Sequence, residues 1–248
     1  MSTPLESPGA GPLRPLRLGE VDFWAFPALE ALPGLLHAVS TRQVDLAASG
    51  DQAGPNLERL RRTLGLKRLA WVRQVHGTDI VAVNGEEAWP AGVADGLTTD
   101  QPGVGLLIKQ ADCQAVILAA PERGVVANLH AGWRGNAAGM PAKGVEFLRE
   151  RYGVEPHEIH AAVSPSLGAC CGEFVNWREK LPAWFAPFRV GENHFDLEAA
   201  TRHQLEAAGV RPQRIFTSGR CTVCSPEFFS YRRDKTAGRF GTVVALRE

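Results

Sequence analysis

Residues Gly103–Gly135 read GVGLLIKQADCQAVILAAPERGVVANLHAGWRG and carry three apolar runs, Gly103–Ile108, Ala115–Ala119 and Val125–Leu129. Each is four to eight residues long, bounded by polar or turn residues, and rich in β-branched side chains, so each predicts a strand. No helical pattern separates them. A doubly wound parallel sheet needs a helix between successive strands, so this block argues against that fold. Further runs at Val21–Phe26, Leu35–Val39, Leu69–Val72, Ile80–Val83, Ile159–Val163 and Thr242–Leu246 also predict strands. Helical patterns stand at Pro55–Leu64, Ala137–Tyr152 and Asp196–Ala208, the last with Asp196 as N-cap and Gly209 as its stop. The class expected is α+β. The Pro- and Gly-rich start, 1–18, reads as a flexible segment and 19–248 as a single domain, with no boundary at the linker-like Gln43–Gly54 loop.

Lys plus Arg and Asp plus Glu both number 27, so no bulk field draws the chain toward nucleic acid or an anionic membrane. Neither a secretory signal nor a bilayer-length apolar run is visible, and a soluble cytoplasmic protein is expected. Five cysteines, an odd number in a chain of 248 residues, predict reduced thiols. Cys221-Thr222-Val223-Cys224 has half of a zinc-ribbon spacing. The other half would be vicinal Cys170-Cys171, whose side chains do not easily face one metal, so these four are expected to be small buried hydrophobes.

Three segments carry the chemistry: Gln74-Val75-His76-Gly77, Ala111-Asp112-Cys113 and His130-Ala131-Gly132-Trp133-Arg134-Gly135. Taken singly, His76 is a hydrogen-bonded strand-end histidine and Cys113 an inert core thiol. Taken together, His76, Cys113 and His130 form a three-ligand set with a fourth position open, the pattern of catalytic zinc. Asp112 reads as an orienting acceptor, a proton carrier or a turn cap. Arg134 beside the glycine turn reads as part of a phosphate cradle. Phe228–Asp234 and Gly238-Arg239-Phe240 set aromatic faces beside guanidinium groups, suited to a flat, partly anionic ligand or to a surface ion-pair cluster. Arg42 carries the same two readings.

The segments 74–77, 111–113 and 130–135, the Cys221-Thr222 pair and Phe229–Asp234 resemble the bacterial laccase-domain, or peptidoglycan editing factor, proteins, also described as zinc-dependent purine nucleoside phosphorylases. The resemblance runs from about Leu35 to the C-terminus. It implies a layered α/β sandwich with mixed sheets, like the cysteine hydrolase fold of the cytotoxic-necrotizing-factor type. It also implies zinc, with copper as a substitute, on His76, Cys113 and His130. The activity implied is phosphorolysis of adenosine, inosine and S-methyl-5'-thioadenosine, with adenosine deamination besides. Arg42 matches the family's Ser-Thr-Arg segment and is expected to contact phosphate; with it, Gln74, Arg134 and Arg232 are the expected substrate contacts, and Asp112 and Arg42 the expected catalytic groups. Asp95 matches a recurring acidic position. The partners implied are a nucleoside and phosphate, in a monomer or homodimer. Gln43-Val44-Asp45 after Arg42, Ser164-Pro165, Gly172, Gln114 and Ala115 depart from the family pattern.

The laccase label fails a count, since a multicopper oxidase houses several coppers on imidazole and the chain has seven His and two Met. Two other classes compete: a cysteine hydrolase using Cys113 with His130 or His76 as base, and a metal-stabilised interaction protein without activity.

Overall fold

The computed structural model describes residues 13–47, 53–87, 89–236 and 238–248. Twelve strands form two six-stranded sheets. They are β1 (Arg14–Leu18), β2 (Val21–Ala25), β3 (Leu35–Ser40), β4 (Arg68–Ala70), β5 (Ile80–Ala82), β6 (Gly96–Thr99), β7 (Val104–Gln110), β8 (Gln114–Ala120), β9 (Val125–Ala131), β10 (His160–Val163), β11 (Ile215–Thr217) and β12 (Phe240–Leu246). One sheet runs β1-β2-β3-β12-β7-β4 and the other β11-β10-β8-β9-β6-β5. The pairs β4 with β7, β5 with β6 and β10 with β11 are parallel, and the remainder are antiparallel. The helices are α1 (Pro27–Glu30), α2 (Ala53–Thr63), α3 (Trp133–Ala137), α4 (Met140–Tyr152), α5 (Trp177–Lys180), α6 (Leu197–Ala207) and α7 (Tyr231–Asp234).

Side-chain alternation along the strands builds the layers. Ala115, Ile117 and Ala119 of β8 and Val126 of β9 pack against Leu106 and Ile108 of β7 and Val244 of β12, which fills the space between the sheets. The opposite parity, Val116, Leu118, Ala127 and Leu129, meets Val145 and Leu148 of α4 and Leu205 of α6. On the far side Leu57 and Leu60 of α2 pack on Leu107, Val243 and Ala245. Both central sheets are therefore covered on both faces, in the order helix, sheet, sheet, helix. The α+β expectation holds.

Asn128, in β9 on the face turned toward the other sheet, is fully buried and donates its amide to the Leu106 carbonyl at 2.9 Å and the Thr242 carbonyl at 2.8 Å. One side chain thus ties the second sheet to two adjacent strands of the first.

Three expectations change. Arg14–Leu18 belongs to no flexible segment, because it pairs antiparallel with Val21–Ala25; residues 1–12 lie outside the described residues. The single helix expected over Ala137–Tyr152 is two helices. It starts earlier, at Trp133, and breaks where Gly139 takes a left-handed φ of 87° ahead of Pro141, which α4 accommodates in its first turn. Strands β1, β6 and β11 have no counterpart among the sequence-based strands, since none of them carries an apolar run of four residues. Asp196 does cap α6, accepting the Ala199 N–H at 2.9 Å.

Replacing Asn128 by Leu leaves two buried carbonyls without this donor. Chemical denaturation of Asn128→Leu is expected to show a loss of about 2–4 kcal/mol; an unchanged midpoint would show that the cross-sheet tie contributes nothing.

Candidate metal centre and cavity

His130 and Cys113 converge because of strand register. Ala115 of β8 lies directly across from His130 of β9, and Cys113 is two residues before Ala115, on the same inter-sheet face. The small Ala115 leaves the diagonal open. His76 comes from the loop before β5, its ring centroid 4.9 Å from that of His130 and the planes at 73°. One ligand atom from each of His76, Cys113 and His130 lies within 4.8 Å of the others. The three expected ligands are therefore brought together.

Asp95 organises this meeting. Its buried carboxylate accepts Nδ1 of His130 at 2.7 Å, the His76 N–H at 2.8 Å, the Gly77 N–H at 2.6 Å and the Val75 N–H at 3.2 Å. Successive amides wrapped around an anion form a nest, and the same anion fixes the imidazole tautomer, leaving Nε2 of His130 for a metal. His76 sits at φ 63°, a left-handed conformation costly for a non-glycine residue, and the nest holds it there.

Electrostatics favour a ligand thiolate. Burial pushes the Cys113 thiol up, but the imidazoles of His130 and His76 outweigh it and bring it down to about 6. Burial likewise opposes charge on His130, yet the Cys113 sulfur and the Asp95 carboxylate prevail and raise it to about 9. A soft thiolate and two imidazoles suit zinc, and also copper. Space agrees with that donor set. A Cβ on Gly132 would stand 2.9 Å from Cδ2 of His76 and 3.0 Å from the Cys113 sulfur, so only glycine lets the chain pass beside the ligands.

The centre opens into a cavity of about 2040 Å³, walled by Trp71, Trp89, Trp133 and Phe174 among others. Among the described lining residues ten are Lys or Arg and three are Asp or Glu, so a chain of zero net charge presents a cationic pocket. Arg134 lines it, stacked over Trp133 at 4.3 Å. Its helix is held by a buried polar network in which Asn136 donates to Gln114 at 3.1 Å and to Thr201 at 2.5 Å, which gives the family departure at Gln114 a local role. Arg73 and Lys109 also line the cavity, and sequence reading missed both because neither stands in a motif.

Of the other expected site residues, Gln74, Asp112 and Arg232 line the cavity and Arg42 does not. Arg42 does not line the cavity; its N–H is bound by the Glu227 carbonyl and its guanidinium rests 5.1 Å over Phe229. Gln74 lines the cavity, but its amide is spent on the main chain of Lys109, donating at 2.8 Å and accepting at 3.0 Å. Arg232 also lines it, and its guanidinium braces the wall by donating to the carbonyls of Cys171 and Glu173. The Asp112 carboxylate accepts the Thr222 hydroxyl at 2.7 Å and the Arg232 N–H at 2.6 Å. The orienting carboxylate is therefore Asp95, and Asp112 holds the C-terminal loops against the site. The four remaining cysteines are not buried hydrophobes. Cys170 and Cys224 are exposed, and all four gather in one place.

Fold and site define a layered mixed-sheet α+β protein with a three-ligand metal centre at the end of its inter-sheet space. The chain belongs to the family described as multi-copper polyphenol oxidoreductase laccase, whose family model matches residues 44–247. It is 36% identical over 222 residues, 78% of each chain, to a Geobacillus stearothermophilus protein named purine nucleoside phosphorylase YlmD. It is 36% identical over 235 residues, 85% of this chain and 88% of the other, to a Deinococcus radiodurans protein named purine nucleoside phosphorylase. The crystal structure of the Geobacillus protein superimposes with a TM-score of 0.81 at 30% identity, covering 96% of this chain and 100% of that one. Among the described residues only one other metal-type cluster gathers, and it contains no histidine, so imidazoles for a multicopper array are not assembled.

Asp95→Asn keeps the size of the side chain and removes its charge. Chelator competition is expected to show zinc held about 10–100-fold more weakly at His76, Cys113 and His130; unaltered affinity would mean that the nest is only structural.

Proposed function

We propose that the chain is a zinc-dependent purine nucleoside phosphorylase acting on adenosine, inosine and S-methyl-5'-thioadenosine in the cytoplasm, with adenosine deamination as a side activity. The observation that carries this reading is the meeting of His76, Cys113 and His130 at the mouth of a cavity rich in cations and aromatic rings. The names of the relatives point the same way.

In phosphorolysis a phosphate oxygen bonds to the anomeric carbon as the bond from that carbon to the purine nitrogen breaks; the nitrogen keeps the electron pair and takes up a proton given up by the phosphate, so free base and sugar 1-phosphate leave. The sugar passes through a positively charged state, so positioning and charge stabilisation carry the rate. Arg134, Arg73 and Lys109 gather the phosphate, and Trp133 with Phe174 offers faces to the purine. Asp95 keeps His130 aimed, and Asp112 acts as a positioning residue through Thr222 and Arg232. When bound, the ion supplies Lewis acidity to a phosphate or substrate oxygen in phosphorolysis and to a water in deamination. Zinc is chosen over copper because three ligands and an open fourth position are its usual catalytic arrangement.

A second reading has one observation in its favour: Cys113 and His130 stand within hydrogen-bond reach, with the thiol brought down and the imidazole raised by one another, the arrangement a cysteine hydrolase uses. The two readings separate cleanly. Purified protein is expected to release free base from adenosine only when phosphate is present, to stop on chelation and restart with zinc, and to lose at least about 100-fold in Cys113→Ala. Release of free base without phosphate, or activity that survives chelation but not alkylation of Cys113, would replace phosphorolysis by the hydrolase reading.

A further inference from the structure

The sulfurs of Cys170, Cys171, Cys221 and Cys224 all lie within 4.8 Å of one another, outside the centre formed by His76, Cys113 and His130. The sulfur of Cys224 stands 3.7 Å from that of Cys170 and 3.7 Å from that of Cys171. Zinc bound tetrahedrally by thiolates at about 2.3 Å sets its sulfurs about 3.8 Å apart. No pair among the four is joined as a disulfide, and a disulfide would use two sulfurs and have no need of the other two.

The surrounding backbone holds the four sulfurs together. Cys221-Thr222-Val223-Cys224 folds as a tight knuckle in which the N–H groups of Cys224 and Ser225 both bond the Cys221 carbonyl. The amides of Gly168, Val223 and Cys224 point at the Cys221 sulfur, which fixes its place in the cluster. Arg233, ion-paired to Asp234, braces the knuckle by donating to the carbonyls of Thr222, Val223 and Ser225. A Cβ on Gly168 would stand 2.8 Å from Cβ of Cys221, so a glycine is needed for the two loops to close. The vicinal pair, an obstacle on sequence grounds, sits on a turn closed by the Cys171 N–H to the Gly168 carbonyl, which sets both sulfurs toward Cys224.

We propose that Cys170, Cys171, Cys221 and Cys224 form a second, structural zinc site of the tetrathiolate type. With all four positions taken by protein it has no room for substrate. Its role is to lock the cavity wall. Its two loops are joined by the Thr222 N–H to the Ser166 carbonyl, and both reach the segment carrying Cys113, through the Leu167 N–H to the Asp112 carbonyl and the Thr222 hydroxyl to the Asp112 carboxylate.

The test counts metal and does not depend on the proposed activity. Full-length protein purified under reducing conditions and reconstituted with zinc chloride is expected to hold about two ions per chain, and Cys113→Ala about one. The Cys113→Ala protein keeps the four cysteines intact, so the outcome does not hang on whether a cluster variant folds. In that protein a thiol reagent should react with the four cysteines only after zinc is stripped, and stripping should speed amide exchange in 166–174 and 221–225. The double variant Cys221→Ser with Cys224→Ser should retain the ion at His76, Cys113 and His130 alone. The proposal is overturned if Cys113→Ala binds no zinc, or if mass spectrometry finds disulfides among the four in reduced-purified protein.

Discussion

A single buried carboxylate holds the candidate centre together. Asp95 is fully enclosed, and its charge is met by three consecutive amides of the His76 loop and by the imidazole of His130. An unpaired carboxylate in such a place would cost several kcal/mol. The nest and the histidine are the compensation, and both are also the means by which the ligands are aimed. Stability of the buried charge and geometry of the centre are therefore one requirement. His76, in its left-handed backbone, stays in register only while that requirement is met.

The two sheets supply the platform. Parity along β8 and β9 sends Ala115, Ile117, Ala119 and Val126 into the inter-sheet core, and continues past its edge to Cys113 and His130. The same parity that fills the core thus delivers a sulfur and an imidazole where the apolar packing ends. Asn128, between Val126 and His130 on that face, fixes the spacing of the sheets one step below the centre. Beyond the edge, the loops at 164–175 and 219–230 together with α7 line the cavity. They are held by polar contacts, with Asp112, Arg232 and Arg233 as the principal donors and acceptors.

Long apolar strands and the ligand triad are readable from the sequence because each carries a local sign: a run of β-branched residues, or a metal-binding side chain at the end of one. Strands β1, β6 and β11 are not, since Arg14–Leu18 is interrupted by Pro and Arg, Gly96–Thr99 is half Thr and Ile215–Thr217 has two apolar residues, so their pairing is set by tertiary context. Asp95 stands out in the sequence as an acidic position but shows no role there, because a nest is made by backbone amides, which leave no trace in side-chain identity. Arg42 illustrates the converse. It stands in a motif, yet its guanidinium rests on Phe229 away from the cavity, whereas Arg73 and Lys109 stand in none and line it. Local spacing argues against a four-cysteine cluster, and the fold reverses that argument. Its halves are brought together by the parallel bridge between Ser166 and Cys221, a long-range pairing that no local pattern announces.

The most direct test of the account is a crystal structure of the zinc-soaked protein with data collected at the zinc edge. It should show an anomalous peak about 2.0–2.1 Å from a nitrogen of His76 and from Nε2 of His130 and about 2.3 Å from the Cys113 sulfur, with Asp95 still bound to Nδ1 of His130. A centre in which the two imidazoles and the sulfur face apart, or in which zinc binds without the contact from Asp95, would contradict it.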